Sequence, residues 1–150
     1  QCTDAMVNKV TEKLFKKYKA LDDYVEALPR QFEKDIFSTG FYRNKTKNIL
    51  AAARIVKEQY AGNVPDTMEE ILKLPGVARK TANVVLGNAC GVVEGIAVDT
   101  HMKRMARVWK LSDEITPEKI EQDLMKIIPQ KDWFISTYRL IEYSRKMKPK

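Results

Sequence analysis

The chain has 150 residues, 44% hydrophobic and 31% charged. That length and balance suit one compact domain or two small lobes and exclude a disordered chain. Its 27 basic and 20 acidic residues leave a net charge of +7. Such a surface attracts polyanions in a salt-sensitive way but does not separate DNA from RNA or an anionic membrane.

Cys2 and Cys90 are the two cysteines and His101 the one histidine. They exclude a disulfide scaffold, and neither cysteine belongs to a pair at zinc-ligand spacing, so the residues suggest no metal centre. With no signal-peptide pattern and no run of 18 apolar residues, no membrane is expected. A reducing intracellular location follows, cytoplasmic or nucleoid-associated in a prokaryote. A helical pattern running from the first residue predicts a native segment before it.

In chain order, Val7, Val10 and Leu14 at helical spacing predict an amphipathic helix ending near Tyr18. Leu21 to Leu28 reads as a short helix stopped by Pro29. After Gln31 to Phe37, the stretch Ser38-Thr39-Gly40-Phe41-Tyr42 reads as a turn. It leads into a longer helix marked by Ile49, Ala52, Ala53, Val56 and Tyr60 and ended by Gly62-Asn63. Met68, Ile71 and Leu72 mark a short helix that runs into Leu74-Pro75-Gly76-Val77. A further helix spans Thr81 to Ala89, with Gly87 inside it at a cost of about 1 kcal/mol unless close packing needs the missing side chain. Ile96-Ala97-Val98 is too short and isolated to establish a sheet. Met102, Met105, Ala106 and Trp109 support another helix. Thr116 is placed as a cap, Pro117 at the first helical position, and Ile120, Leu124 and Ile127 on the apolar face. A last helix takes in Trp133, Phe134, Tyr138 and Ile141. About nine helical segments and no hairpin of strands predict an all-α fold.

The most informative stretch is Leu74-Pro75-Gly76-Val77-Ala78-Arg79-Lys80-Thr81-Ala82. A helix ends at a Pro-Gly turn and another starts within a few residues, leaving amides that can cradle a phosphate. Lys73 or Arg79 would add charge-assisted contacts. A plain helix-helix turn is the other reading of the same residues.

Together with Val98-Asp99-Thr100-His101, that block resembles the helix-hairpin-helix DNA glycosylase superfamily, and within it the endonuclease III branch. The likeness starts at Gln1-Cys2-Thr3-Asp4 and continues past Trp133. It implies a two-lobed all-α fold, short of the family fold at both termini. Residues 1–18 and 109–150 would form a terminal-helix lobe, and 19–108 a barrel-like lobe carrying the hairpin. The resemblance implies DNA repair by base excision, acting as a monomer on damaged double-stranded DNA.

Lys80 falls where the family carries its catalytic lysine and Asp99 where it carries its catalytic aspartate. Phe41 resembles the apolar wedge, Gln1 the polar residue inserted near the vacated base, and Lys45, with Asn44 and Lys47, lines the backbone nearby. Lys73, Gly76, Ala78, Arg79 and His101 complete the implied DNA-binding set. The family hairpin usually has a second glycine where Ala78 stands, and if that position needs positive φ, alanine costs roughly 1–2 kcal/mol. The hairpin of relatives tends to hold a monovalent cation through backbone carbonyls. Many relatives end with four cysteines that bind an iron-sulfur cluster. Cys2 and Cys90 do not match those ligands, so either that portion lies outside the chain or this branch lacks the cluster.

Lysine suits the implied chemistry. A neutral amine, favoured by burial beside other positive groups, displaces the base at the sugar anomeric carbon, and the resulting imine is an electron sink. Asp99 would stabilise positive charge on the sugar and relay protons. It also reads as a cap for the helix starting near Thr100. The reaction implied is excision of oxidised pyrimidines followed by β-elimination. A mismatch uracil or thymine glycosylase, a non-catalytic DNA-binding module and a helical protein-interaction domain remain alternatives.

Overall fold

The computed structural model describes residues 2–147. Among them are nine α-helices: α1 (Asp4–Lys17), α2 (Leu21–Val25), α3 (Pro29–Ile36), α4 (Tyr42–Gln59), α5 (Met68–Ile71), α6 (Arg79–Val85), α7 (Thr100–Val108), α8 (Pro117–Ile127) and α9 (Trp133–Lys146). Short 3-10 turns lie at Phe37–Thr39 and Gln130–Asp132, and a π-helical turn at Leu86–Cys90 prolongs α6. No strand occurs among the described residues, so the class is all-α. The chain forms two compact units. One runs to Pro65 and includes Lys73–Gly76, and the other takes Asp66–Leu72 and everything from Val77 onward.

In the first unit Val10, Leu14, Phe32, Ile36 and Leu50 share a core with Tyr18 and Ala27. Pro29 does not stop a helix, as the sequence suggested, but starts one: α2 has already ended at Val25, and Pro29 occupies the first turn of α3. That position needs no backbone N–H, which proline lacks. The buried stripe of α4 is Thr46, Leu50, Ala53 and Val56, leaving Ile49 exposed. Tyr18 packs edge-on against Phe32 at 5.2 Å between centroids. Its hydroxyl donates to Asp35 Oδ2 at 2.8 Å. The same oxygen accepts from Lys17 Nζ at 2.5 Å, and Oδ1 accepts from Gln31 Nε2 at 3.1 Å. Asp35 thus ties α1 to α3.

The second unit centres on Ile96, Val98, Met102, Ala106, Ile120 and Leu124. Ile96-Ala97-Val98 is buried but is not a strand: it is an irregular segment whose apolar side chains fill the core ahead of α7. Pro117 opens α8 as expected, with Thr116 at the cap position. Ile127 is 55% exposed, while Glu121 on the same helix is only 4% exposed. Gly87 lies in the π-helical turn, and a Cβ there would sit 2.6 Å from the Phe134 ring. Close packing therefore explains that glycine.

Burial opposes ionisation of Asp35, but the bonds from Lys17, Tyr18 and Gln31 outweigh it and hold the carboxyl below its ordinary value of 3.8. A depressed carboxyl contributes stability that is present above the unfolded pKa and lost as pH falls through the folded one. Urea midpoints of the wild type and Asp35→Asn should therefore differ most at pH 5 and above, and converge as pH falls below about 3.8. A gap that stays constant to pH 2 would contradict this origin.

Candidate active site

The turn before α6 is built on Gly76, whose φ is +79°. A Cβ at Gly76 would lie 2.8 Å from Asn48 Nδ2 and 2.9 Å from Asn48 Cβ. Both the left-handed backbone and the close approach of Asn48 require glycine. Ala78 behaves otherwise. It precedes α6 with φ −98° and ψ 168°, an extended conformation open to any L-residue. The penalty that the sequence attached to a positive φ at Ala78 therefore does not arise.

No side chain caps the start of α6. Arg79 is its first residue and Lys80 its second, and Lys80 is exposed rather than buried. Asp99 caps the start of α7, where Oδ1 accepts from the Met102 N–H at 2.8 Å. The backbone on its N-terminal side is fixed by the buried run Ile96-Ala97-Val98. The cap orients the carboxylate and leaves the second oxygen outside that bond. Lys80 and Asp99 belong to the same compact unit, each at the start of a helix.

A buried polar cluster anchors α6. Arg79 Nε donates to Glu121 Oε2 at 2.6 Å, and Asn83 Nδ2 donates to Glu121 Oε1 at 2.9 Å. Arg79 and Asn83 flank Lys80 in sequence, so their shared partner on α8 sets the rotation of the helix that carries the amine. Gly95 permits the arrangement, since a Cβ there would fall 2.0 Å from Glu121 Oε1. Asn83 Oδ1 is buried without a partner, a cost of about 1–3 kcal/mol. The Arg79 side chain remains 37% exposed, but its Nε is engaged inside the protein. Sequence reasoning named neither Glu121 nor Asn83. The available signal was a glutamate beside Ile120 and three residues before Leu124, on the inward side of α8.

His101 Nδ1 lies 3.1 Å from Ser144 Oγ. Arg104 donates to that hydroxyl at 2.8 Å and also to the Ser144 carbonyl, which joins α7 to α9. In the first unit Phe41 is 67% exposed and sits at φ +47° just before α4. Lys45 Nζ donates to the Thr39 carbonyl at 2.9 Å and so braces the loop that presents Phe41. Asn44 and Lys47 are exposed on α4, and Lys73 is exposed in the turn after α5. Gln1 lies outside the described residues. The implied DNA-binding residues are thus divided: Phe41, Lys45, Lys73 and Gly76 are in the first unit, and Ala78, Arg79 and His101 are in the second with Lys80 and Asp99.

Cys2 and Cys90 are both free thiols. Two thiols do not make the four-cysteine ligand set of an iron-sulfur cluster. Among the described residues no group of three or more His, Cys, Asp or Glu could hold a metal ion. No helix among them is long and apolar enough to cross a membrane.

A family model described as HhH-GPD superfamily base excision DNA repair protein matches residues 1–130. The chain belongs to that superfamily. Among HhH-GPD proteins it is 49% identical to endonuclease III of Synechocystis sp. over 145 residues, covering 97% of this chain and 66% of the relative. It is 45% identical to endonuclease III of Bacillus subtilis over 148 residues, with 97% and 66% covered. The chain therefore spans just under two thirds of the length of these two relatives. A solved structure of a trapped endonuclease III–DNA covalent intermediate, an estranged-adenine complex, superposes with a TM-score of 0.91. It has 44% identity and covers 99% of this chain and 71% of that one. The two-lobed helix-hairpin-helix glycosylase fold implied by the sequence blocks is the fold of this member.

The two small residues of the HhH-GPD hairpin should respond oppositely to exchange. Gly76→Ala is expected to destabilise by about 2–4 kcal/mol through left-handed strain and overlap with Asn48. Ala78→Gly should yield no gain and lose about 0.5–1 kcal/mol, because it frees the unfolded chain. Urea denaturation of the two variants tests this, and stabilisation by Ala78→Gly would refute the extended assignment.

Proposed function

We propose that the protein is a bifunctional DNA glycosylase and abasic-site lyase that excises oxidised or ring-saturated pyrimidines from double-stranded DNA. The observation that carries the proposal is the presentation of Lys80. It is a solvent-facing amine on the second residue of the helix after the hairpin, and it shares a compact unit with a carboxylate held by its own helix. The 49% and 45% identities to endonuclease III support the activity, as does the likeness to a structure in which that enzyme is trapped covalently on DNA.

Neutral Lys80 Nζ attacks C1′ of the damaged nucleotide, and the C1′–N bond breaks with its electron pair leaving on the base. Opening of the sugar ring then gives a protonated imine between Nζ and C1′. This cation acidifies C2′. Loss of a C2′ proton sends electrons toward the imine and expels the 3′ phosphate as the C3′–O bond breaks. Asp99 stabilises positive charge on the sugar and passes protons between the amine, the ring oxygen and the departing groups. Its capping bond to Met102 holds the carboxylate without reorganisation during the reaction.

Reaching C1′ requires the nucleotide to leave the stack. Phe41 would fill the space in the duplex, with Gln1 near the vacated partner. Arg79, Lys73, Lys45, His101 and the amides around Gly76 and Ala78 would hold the backbone. The carbonyls of Leu74 and Gly76 accept no backbone N–H among the described residues. Carbonyls of this turn would hold a monovalent cation at the hairpin, where it would supply positive charge toward a phosphate. The free thiols suit an intracellular setting, cytoplasmic or nucleoid-associated in a prokaryote.

Borohydride added to the protein on an abasic duplex should reduce the imine to a stable covalent adduct. Lys80→Ala should abolish that adduct while leaving duplex binding within a few-fold. Tight binding by the wild type with no adduct would instead indicate a non-catalytic binding module.

Asp99→Asn separates the two uses of that residue. Asparagine caps a helix about as well as aspartate, so the thermal midpoint should hold, whereas base release from a duplex carrying a ring-saturated pyrimidine should fall at least tenfold. Equal turnover by this variant would remove Asp99 from the chemistry.

A further inference from the structure

A cleft of about 400 Å³ in the first unit is used by none of the chemistry above. Its floor includes Met6, Val10 and Leu14, and four lysines line it: Lys9, Lys13 and Lys17 from α1 and Lys34 from α3. The three α1 lysines are spaced four residues apart and fall on one face of the helix, beside the apolar stripe. At 1.5 Å per residue they form a row about 12 Å long. The one acidic group in the cleft, Asp35, is already saturated by Lys17, Tyr18 and Gln31. Among the described residues no hydrogen bond or ion pair engages the side chains of Lys9, Lys13 or Lys34. By contrast Lys16, on another face of α1, is paired with Glu12 at 3.1 Å. Like charges four residues apart repel along a helix, and Asp35 offsets this only at the Lys17 end of the row, leaving Lys9 and Lys13 uncompensated within the cleft.

We propose that this cleft is a phosphate-binding site that seats the sugar-phosphate backbone of a nucleic-acid strand, separately from the contacts made around Lys80. A compact single anion would need its ammonium groups gathered at one point, whereas a row about 12 Å long matches the distributed charge of a strand. The Ser38 hydroxyl at the edge of the cleft adds a donor for a phosphate oxygen. The apolar floor suits the uncharged faces of the sugars. Phosphate recognition follows from the cleft alone, while the choice of a nucleic-acid strand as its source rests on the function proposed above.

The test measures affinity for an undamaged duplex against salt concentration. Each phosphate neutralised contributes about 0.9 to the slope of log K on log salt. Lys9→Gln, Lys13→Gln and Lys34→Gln combined should therefore lower the slope by up to about 2.7. A control carrying Lys16→Gln, Lys126→Gln and Lys146→Gln removes the same formal charge from lysines already ion-paired, and should change the slope much less. Thermal midpoints verify that both variants are folded.

In parallel, inorganic phosphate is titrated while the α1 amide resonances are followed by NMR. If the slope of the cleft variant matches that of the control but phosphate shifts the α1 amides of the wild type alone, the site takes free phosphate and the strand is rejected. If the slopes match and the amides do not move, the proposal fails entirely. Because the duplex is undamaged, binding is read independently of imine formation. Failure of borohydride trapping with a retained cleft-dependent slope would therefore count against the catalytic reading alone.

Discussion

Glu121 is a buried carboxylate whose two oxygens are divided between Arg79 and Asn83, and the placement of the candidate amine depends on that division. A charge removed from water is tolerated only when paired and hydrogen-bonded. The pairing works only with α6 turned so that Arg79 and Asn83, one turn apart on the same face, meet α8, which leaves Lys80 off that face and exposed to solvent. The constraint extends to Gly95, because the loop ahead of α7 passes so close to the carboxylate that no side chain fits there. One ion pair with a buried carboxylate thereby links the helix bearing Lys80 with the segment that leads to Asp99.

The hairpin imposes its own demands unevenly. Its sharp reversal falls on Gly76, where the backbone is left-handed and Asn48 closes in. By Ala78 the chain is extended and ready to enter α6. A second glycine is therefore not needed to form this turn, and alanine there restricts the unfolded chain at no cost to the folded one. The departure from the family pattern at Ala78 is conformationally neutral, a point that only the dihedral angle could decide.

Much of the fold was legible because helix ends are marked by chemistry: Pro117 opens α8, and Gly62 follows the end of α4. The two sequence blocks pointed to the superfamily, and with it to Lys80 and Asp99 as the pair to examine. Other features were hidden for identifiable reasons. Apolar periodicity locates a stripe but not its centre, so Ile49 and Ile127 read as inward-facing when they lie at its edge. It also passes over a buried charge such as Glu121, whose partners are 42 and 38 residues away. The bonds that join Arg104 and His101 to Ser144 are equally remote in sequence. Pro29 was misread because proline is both a helix terminator and a favoured first residue, and only the preceding chain distinguishes the two.

Phe41 carries a further implication. An aromatic residue held at positive φ, with most of its ring in water, occupies a conformation that an isolated peptide would largely avoid. Gly40 before it and the Lys45 brace on Thr39 hold that posture from within the protein. The ordering entropy of the loop is thus spent during folding, and a partner that meets the ring does not have to supply it again. Mutations that relax the loop would slow productive engagement without touching any group that bonds to the ligand.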